Sequence, residues 1–183
     1  MKTDNSYLKE KVELRIQSLP EKENIFVLDC YSGKGIIWKE VKKQTGLNIT
    51  VVSIEKEAGK NKTALQGSNL KYLNVLDLSK FDIIDLDAYG IPYNQLKIIF
   101  QRKYKGIVHV TAIQSGMGQL PKGLIKEIGY TEQMMSKINS IFNRQGIEKL
   151  KNYLYLNGIN QINGHFINRK NYFYFNTLNQ NNE

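Results

Sequence analysis

At 183 residues, 41% hydrophobic and 23% charged, the chain is long enough to bury a core and too apolar to stay disordered. No run approaches the roughly 18 apolar residues of a membrane span, the N-terminus MKTDNSYLKEK lacks the apolar stretch of a secretory signal, and a lone cysteine, Cys30, beside two histidines excludes an internal disulfide and argues against a Cys/His metal site. The net charge of +9 is uneven: residues 1–87 carry 14 Lys/Arg against 13 Asp/Glu, residues 88–183 carry 12 against 4, and no acid falls between Ala88 and Lys126.

These figures predict one cytoplasmic domain without a structural metal. The basic half suits a polyanion, with solvated surface charge as the plainer alternative. In chain order, residues 6–18 place Tyr7, Leu8, Val12 and Ile16 at roughly helical spacing, and Pro20 follows as a stop. IFVLDC (25–30) is a continuous apolar run, the pattern of a strand buried on both faces of a parallel sheet. GIIWKEVKKQTG (35–46) predicts a helix, NITVVSIE (48–55) a second strand, and KEAGKNKTALQG (56–67) a short helix with a loop. KYLNVL (71–76) is read as the third strand and FDIIDLD (81–87) as the fourth, with the turn AYGIP after it. NQLKIIFQRKY (94–104) predicts a helix and GIVHVTAI (106–113) a fifth strand.

A loop, QSGMGQLPKG (114–123), then helical sequence to about Leu156, lead to two strand-like runs, INQINGHFI and NYFYFNTL, joined through NRKN. Alternating strands and helices imply a doubly wound α/β fold. Strands joined by so short a link pair antiparallel. The expectation is a mostly parallel seven-stranded sheet with an antiparallel C-terminal hairpin. The single domain comprises a leading helix (1–20), the core (24–178) and a tail (179–183).

LDCYSGKG (28–35) sits at the tip of the first strand, where doubly wound sheets bind ligands. Gly33 and Gly35 allow positive φ and close backbone approach. Glu55 ends the second strand about 20 residues on, where a carboxylate can accept from both ribose hydroxyls. A dinucleotide fingerprint would need a third glycine where Trp38 stands, and Asp29 would repel a pyrophosphate. A cationic sulfonium bearing a free amino group suits that acid better.

The segment D-C-Y-S-G-K-G (29–35) resembles the first motif of class I S-adenosylmethionine-dependent methyltransferases, in the D-x-[FY]-x-G-x-G form of nucleic-acid base methyltransferases. The order of elements is similar from about Asn24 to Leu178. The resemblance implies that Asp29, Tyr31 and the backbone of Ser32, Gly33 and Gly35 hold the methionine part of S-adenosylmethionine. It assigns the ribose to Glu55, with Glu57 the local competitor, and the adenine amino group to Asp77.

FDIIDLDAYGIP ends the fourth strand with Asp85 and Asp87 on one face. DLDAYG is similar to the D-x-D-P-F-G segment of tRNA guanine-N2 methyltransferases, with Ala88 in place of the proline. An exocyclic amine is a poor nucleophile because its lone pair is delocalised into the ring. A carboxylate accepting its N–H bonds stabilises the charge that develops on it. Asp87 is the candidate acceptor, with Asp85 beside it and Tyr89 to stack on the base. The 114–123 loop, with Lys122, suits a substrate lid. Arg169 and Lys170 are placed to touch phosphates, or are solvated turn charges.

The leading expectation is a methyltransferase acting on an exocyclic amine of a nucleic-acid base, RNA ahead of DNA and guanine-N2 favoured. The alternatives are a DNA adenine-N6 methyltransferase, a small-molecule methyltransferase, and an inactive cofactor-binding nucleic-acid-binding subunit.

Overall fold

A computed structural model describes residues 7–114, 120–137, 145–167 and 169–178. Of the loop read as a lid, residues 115–119 lie outside the described residues, as does the tail 179–183, while Lys122 of that loop is the first residue of a helix. The first half runs α1 (Leu8–Gln17), β1 (Asn24–Asp29), α2 (Ile36–Thr45), β2 (Asn48–Glu55), β3 (Leu65–Gln66), α3 (Asn69–Val75), a 3-10 turn (Leu78–Lys80) and β4 (Ile83–Asp87). The second half runs α4 (Tyr93–Gln101), β5 (Ile107–Ile113), α5 (Lys122–Glu127), α6 (Glu132–Lys137), α7 (Gly146–Leu156), β6 (Asn163–Ile167) and β7 (Lys170–Asn176).

The sheet has seven strands in the order β3-β2-β1-β4-β5-β7-β6. The first five are parallel, and β7 pairs antiparallel with both β5 and β6. Alternation along the strands divides the core in two. Ile25, Val27 and Ile83 face α1 and α2, where they meet Val12, Trp38 and Val41. Leu28, Ile84, Leu86, Val108 and Val110 face the opposite way, toward Leu73 of α3, Leu96 and Ile99 of α4, Leu124 of α5 and Tyr153 of α7. Among the described residues no helix is long and apolar enough to cross a membrane.

Two expected elements are corrected. Residues 56–67 form turns that end in the two-residue strand β3, not a helix. KYLNVL lies in a helix, α3, and not in the third strand. Its apolar residues decide this: Leu73 is buried, with Tyr72 and Leu76 packed against the same core. Tyr72 and Leu76 are four apart, the repeat of a helix face, whereas a strand would send Tyr72 and Leu73 to opposite sides.

Candidate active site

Strand order reverses between β1 and β4, so a crevice opens beyond their carboxyl ends. A cleft there is lined by Asp29, Tyr31, Ser32, Gly33 and Lys34 of the loop after β1 and by Asp85 and Asp87 of β4. Ile36 and Ile37 of α2 and, from the leading helix, Leu8 and Lys11 complete it.

The loop is held by its own backbone. Cys30 N–H donates to Asp85 carbonyl at 2.9 Å, Ser32 N–H to Ile54 carbonyl at 3.2 Å, and Gly35 N–H to Ser32 carbonyl at 2.6 Å. Gly33 and Gly35 both sit in the left-handed region, at φ 50° and 66°, which a side chain would strain. Glu55 ties this turn to β2: one carboxylate oxygen accepts from Gly33 N–H at 2.9 Å, the other from Glu57 N–H at 2.8 Å. Ser32 Oγ is buried with no hydrogen-bond partner. Such a buried hydroxyl in a cleft wall fits the polar group of a ligand.

Asp29 is buried at the tip of β1 and accepts from Tyr31 N–H at 3.2 Å. Burial pushes its carboxyl well above the usual range, and the charges of Asp85 and Asp87 add to that; the Tyr31 N–H and Arg15 oppose it. An incoming cation would restore the ionised form. Burial raises the Tyr31 phenol to about 12, with the Asn69 side chain opposing the rise. Asn69 donates to Cys30 carbonyl at 3.0 Å and accepts from Gln95 at 2.9 Å.

The two acids of β4 have different surroundings. Asp85 accepts from Arg15 Nε at 2.8 Å, Arg15 Nη2 at 2.7 Å and the Trp38 indole at 2.8 Å. Arg15 and Asp85 are each only 1% exposed. Asp87 lies further out, half-buried. Lys11 Nζ reaches its two oxygens at 2.7 and 3.0 Å, and Thr111 Oγ1 donates to the first of them. Ala88 N–H closes a tight turn about Asp87 by donating to Leu86 carbonyl at 2.8 Å. A proline at 88 has no N–H to give, so this turn is built for a residue other than the motif's proline. Tyr89, just beyond, is 70% exposed.

The structure thus brings Asp29, Tyr31, Ser32, Gly33, Asp85 and Asp87 to one cleft, with Gly35 and Glu55 shaping its loop. Asp77 stands apart. It is exposed and caps the 3-10 turn, accepting from Ser79 N–H at 3.2 Å and Ser79 Oγ at 2.7 Å. Those bonds, the side-chain one first, hold its carboxyl below the ordinary value. The strand that would have aimed it at a ligand is the helix α3. Sequence reasoning missed Lys11, Arg15, Trp38, Asn69 and Thr111. A signal existed for two of them. Lys11 and Arg15 are four apart on a helix and Asp85 and Asp87 two apart on a strand, spans of about 6 Å and about 6.6 Å that match.

No family model and no curated protein matches the sequence. Solved structures do match the fold. An assigned rRNA methylase of Clostridium thermocellum aligns over 96% of this chain and 97% of its own, with TM-score 0.56 and 12% identity. Precorrin-6y C5,15-methyltransferase of Geobacter metallireducens aligns over 90% and 86%, with TM-score 0.52 and 10% identity. Phosphoethanolamine N-methyltransferase 2 of Haemonchus contortus, solved with S-adenosyl-L-methionine, aligns over 91% and 51%, with TM-score 0.55 and 10% identity. The fold is that of the class I methyltransferases. Within this methyltransferase fold the cleft occupies the carboxyl edge at β1 and β4, and the leading helix supplies part of its wall.

Proposed function

We propose that the chain is an S-adenosylmethionine-dependent methyltransferase acting on an exocyclic amine of a nucleic-acid base, with guanine-N2 in RNA the favoured target. One observation carries the cofactor half: a cleft with a buried carboxylate of raised pKa, Asp29, beside an unpartnered buried hydroxyl, Ser32 Oγ, on a turn with two positive-φ glycines. These groups fit a ligand with an ammonium, a carboxylate and a sulfonium. When bound, S-adenosylmethionine supplies an electrophilic methyl group.

In this reading Asp29 accepts from the cofactor's ammonium, and Ser32 Oγ with the loop's backbone meets its carboxylate. Glu55, held by its two backbone bonds, positions the loop, and its remaining lone pairs accept from the ribose. Asp87 is the acceptor-side group: it orients the base amine and takes up the charge that develops on it. Asp85 holds α1 in place through Arg15 and is not given a catalytic role. Tyr89, exposed beside the cleft, provides a stacking face for the base.

Isothermal titration with S-adenosylmethionine and S-adenosylhomocysteine tests the cofactor half. The expected result is micromolar binding of both, lost in an Asp29→Ala variant that remains folded. Absence of heat with either ligand would overturn it.

A second reading is favoured by one contact. Lys11 already neutralises Asp87, as it would in a chain that binds cofactor and nucleic acid without turnover. In the enzyme, the acceptor amine takes the place of Lys11 Nζ on Asp87. Cofactor binding with no transfer to any nucleic acid would select the inactive reading.

A further inference from the structure

The helix α1 lies along the sheet in step with it. Strand pairing aligns Asp85 with His109 and Tyr174, and Asp87 with Thr111 and Tyr172, each row on one face of the sheet. One row further out, beyond the end of β4, Ile113 pairs with Lys170. Arg15 binds the first row at Asp85. Lys11 binds the second, on Asp87 and 5.3 Å over the Tyr172 ring. Tyr7 reaches the third: its ring lies 5.8 Å from that of Tyr172, and Lys170 Nζ stands 5.7 Å over it. Tyr7 holds this position at φ 67°, a left-handed conformation that costs a tyrosine energy and that the surrounding packing offsets.

The register also decides which edge this third row occupies. Lys170 faces the carboxyl end of β5, so the β6–β7 turn with Arg169 stands at the edge where β4 ends in Asp87. Gln114 N–H donates to Arg169 carbonyl at 2.9 Å, fixing that turn to the end of β5. Arg169 and Tyr89 are exposed, and Tyr7 and Lys170 are half-exposed. Two cations and two tyrosines therefore rim the carboxyl edge of the sheet next to the cleft, whose own wall includes Leu8 and Lys11 of α1.

We propose that this rim, made of Tyr7, Tyr89, Arg169 and Lys170, is the docking surface for a single-stranded polynucleotide whose target base enters the cleft. The proposal rests on the nucleic-acid reading above and adds to it the surface that carries the strand. Arg169 and Lys170 take phosphates, and the tyrosines stack on the bases on either side of the target. The charge-rich stretch from Ala88 to Lys126 is a weaker candidate. Lys97 pairs with Glu127 and Lys126 with Glu132, and Arg102 donates to the carbonyls of Leu73 and Leu76. Lys103 and Lys105 are exposed but precede β5, at the opposite edge of the sheet from the cleft.

The test is fluorescence anisotropy with a labelled RNA of about 12 unpaired nucleotides, without cofactor, across a salt series. The expected outcome is that Arg169→Ala with Lys170→Ala weakens binding about tenfold or more and lowers the salt slope by about 1.4, the value for two lost phosphate contacts on a single strand. Tyr89→Ala weakens binding at least fivefold with the slope unchanged. Lys103→Ala with Lys105→Ala stays within about twofold of the unmodified chain. Circular dichroism melts confirm that each variant is folded. If the unmodified chain binds and the loss falls on the Lys103/Lys105 variant instead, the rim is wrong and the base-methylation reading stands. If the unmodified chain binds no RNA, both fall.

Discussion

Asp29 and Asp87 open on the same cleft from neighbouring strands, yet their surroundings treat their charges in opposite ways. Asp87 has an ammonium and a hydroxyl on it, whereas Asp29 has one backbone N–H and two negative neighbours. A folded-state pKa above the unfolded value means that the folded chain retains a proton the unfolded chain has released. Asp29 therefore favours folding most below about pH 3.9, and that contribution declines as pH rises toward its folded pKa. A cationic ligand reverses the preference, because it binds the ionised form. Affinity for S-adenosylmethionine should consequently rise with pH through the folded pKa of Asp29, by at most about tenfold per pH unit. Asp29→Asn should remove that dependence. Calorimetry in buffers of different ionisation enthalpy checks it, and a flat profile in the unmodified chain would remove Asp29 from the ligand site.

At the scale of elements, α1 is part of the site and not a leader placed before it. Its attachment runs through the buried Arg15–Asp85 pair, where Arg15 also donates to Lys11 carbonyl at 2.9 Å. Arg15→Met leaves a buried carboxylate without its counter-ion, a change that costs about 3–5 kcal/mol. Asp85→Asn added to it removes the stranded charge and keeps an acceptor for the Trp38 indole, so the double variant should recover much of the loss. Denaturant titration measures both; equal instability of the single and double variants would show that the stranded charge is not the cause. The main strands were legible in the sequence because β1, β2, β4 and β5 are short runs centred on Ile, Val and Leu with most of those side chains turned into the core. β3 was not, because two residues carry no period. The α1 contacts were hidden for a different reason. Their charge marks Lys11 and Arg15 as solvent-facing although they stand three and seven residues after Leu8, on its side of the helix, and only the acids two residues apart on β4 give them a reason to be buried.

For the whole molecule, the sequence showed where charge is concentrated but not which charges are already engaged. The cations between Ala88 and Lys126 drew attention to the second half, yet three of them are bound to acids or carbonyls of their own chain. The cations nearest the cleft belong to α1 and the last hairpin, and those of α1 are themselves bound to Asp87 and Asp85. The glycine turn was legible because positive φ at Gly33 and Gly35 follows from residue type. Asp77 caps the 3-10 turn, because the segment expected to carry it as a strand is the helix α3.

The central claim is that the cleft between β1 and β4 moves a methyl group to an amine held by Asp87. Tritium transfer from labelled S-adenosylmethionine into fractionated tRNA, rRNA and DNA tests it most directly. The unmodified chain should label an RNA fraction, and Asp87→Asn should lose at least about 100-fold of that rate while binding cofactor within about threefold of normal. Label in no fraction despite cofactor binding, or undiminished label with Asp87→Asn, would contradict the account.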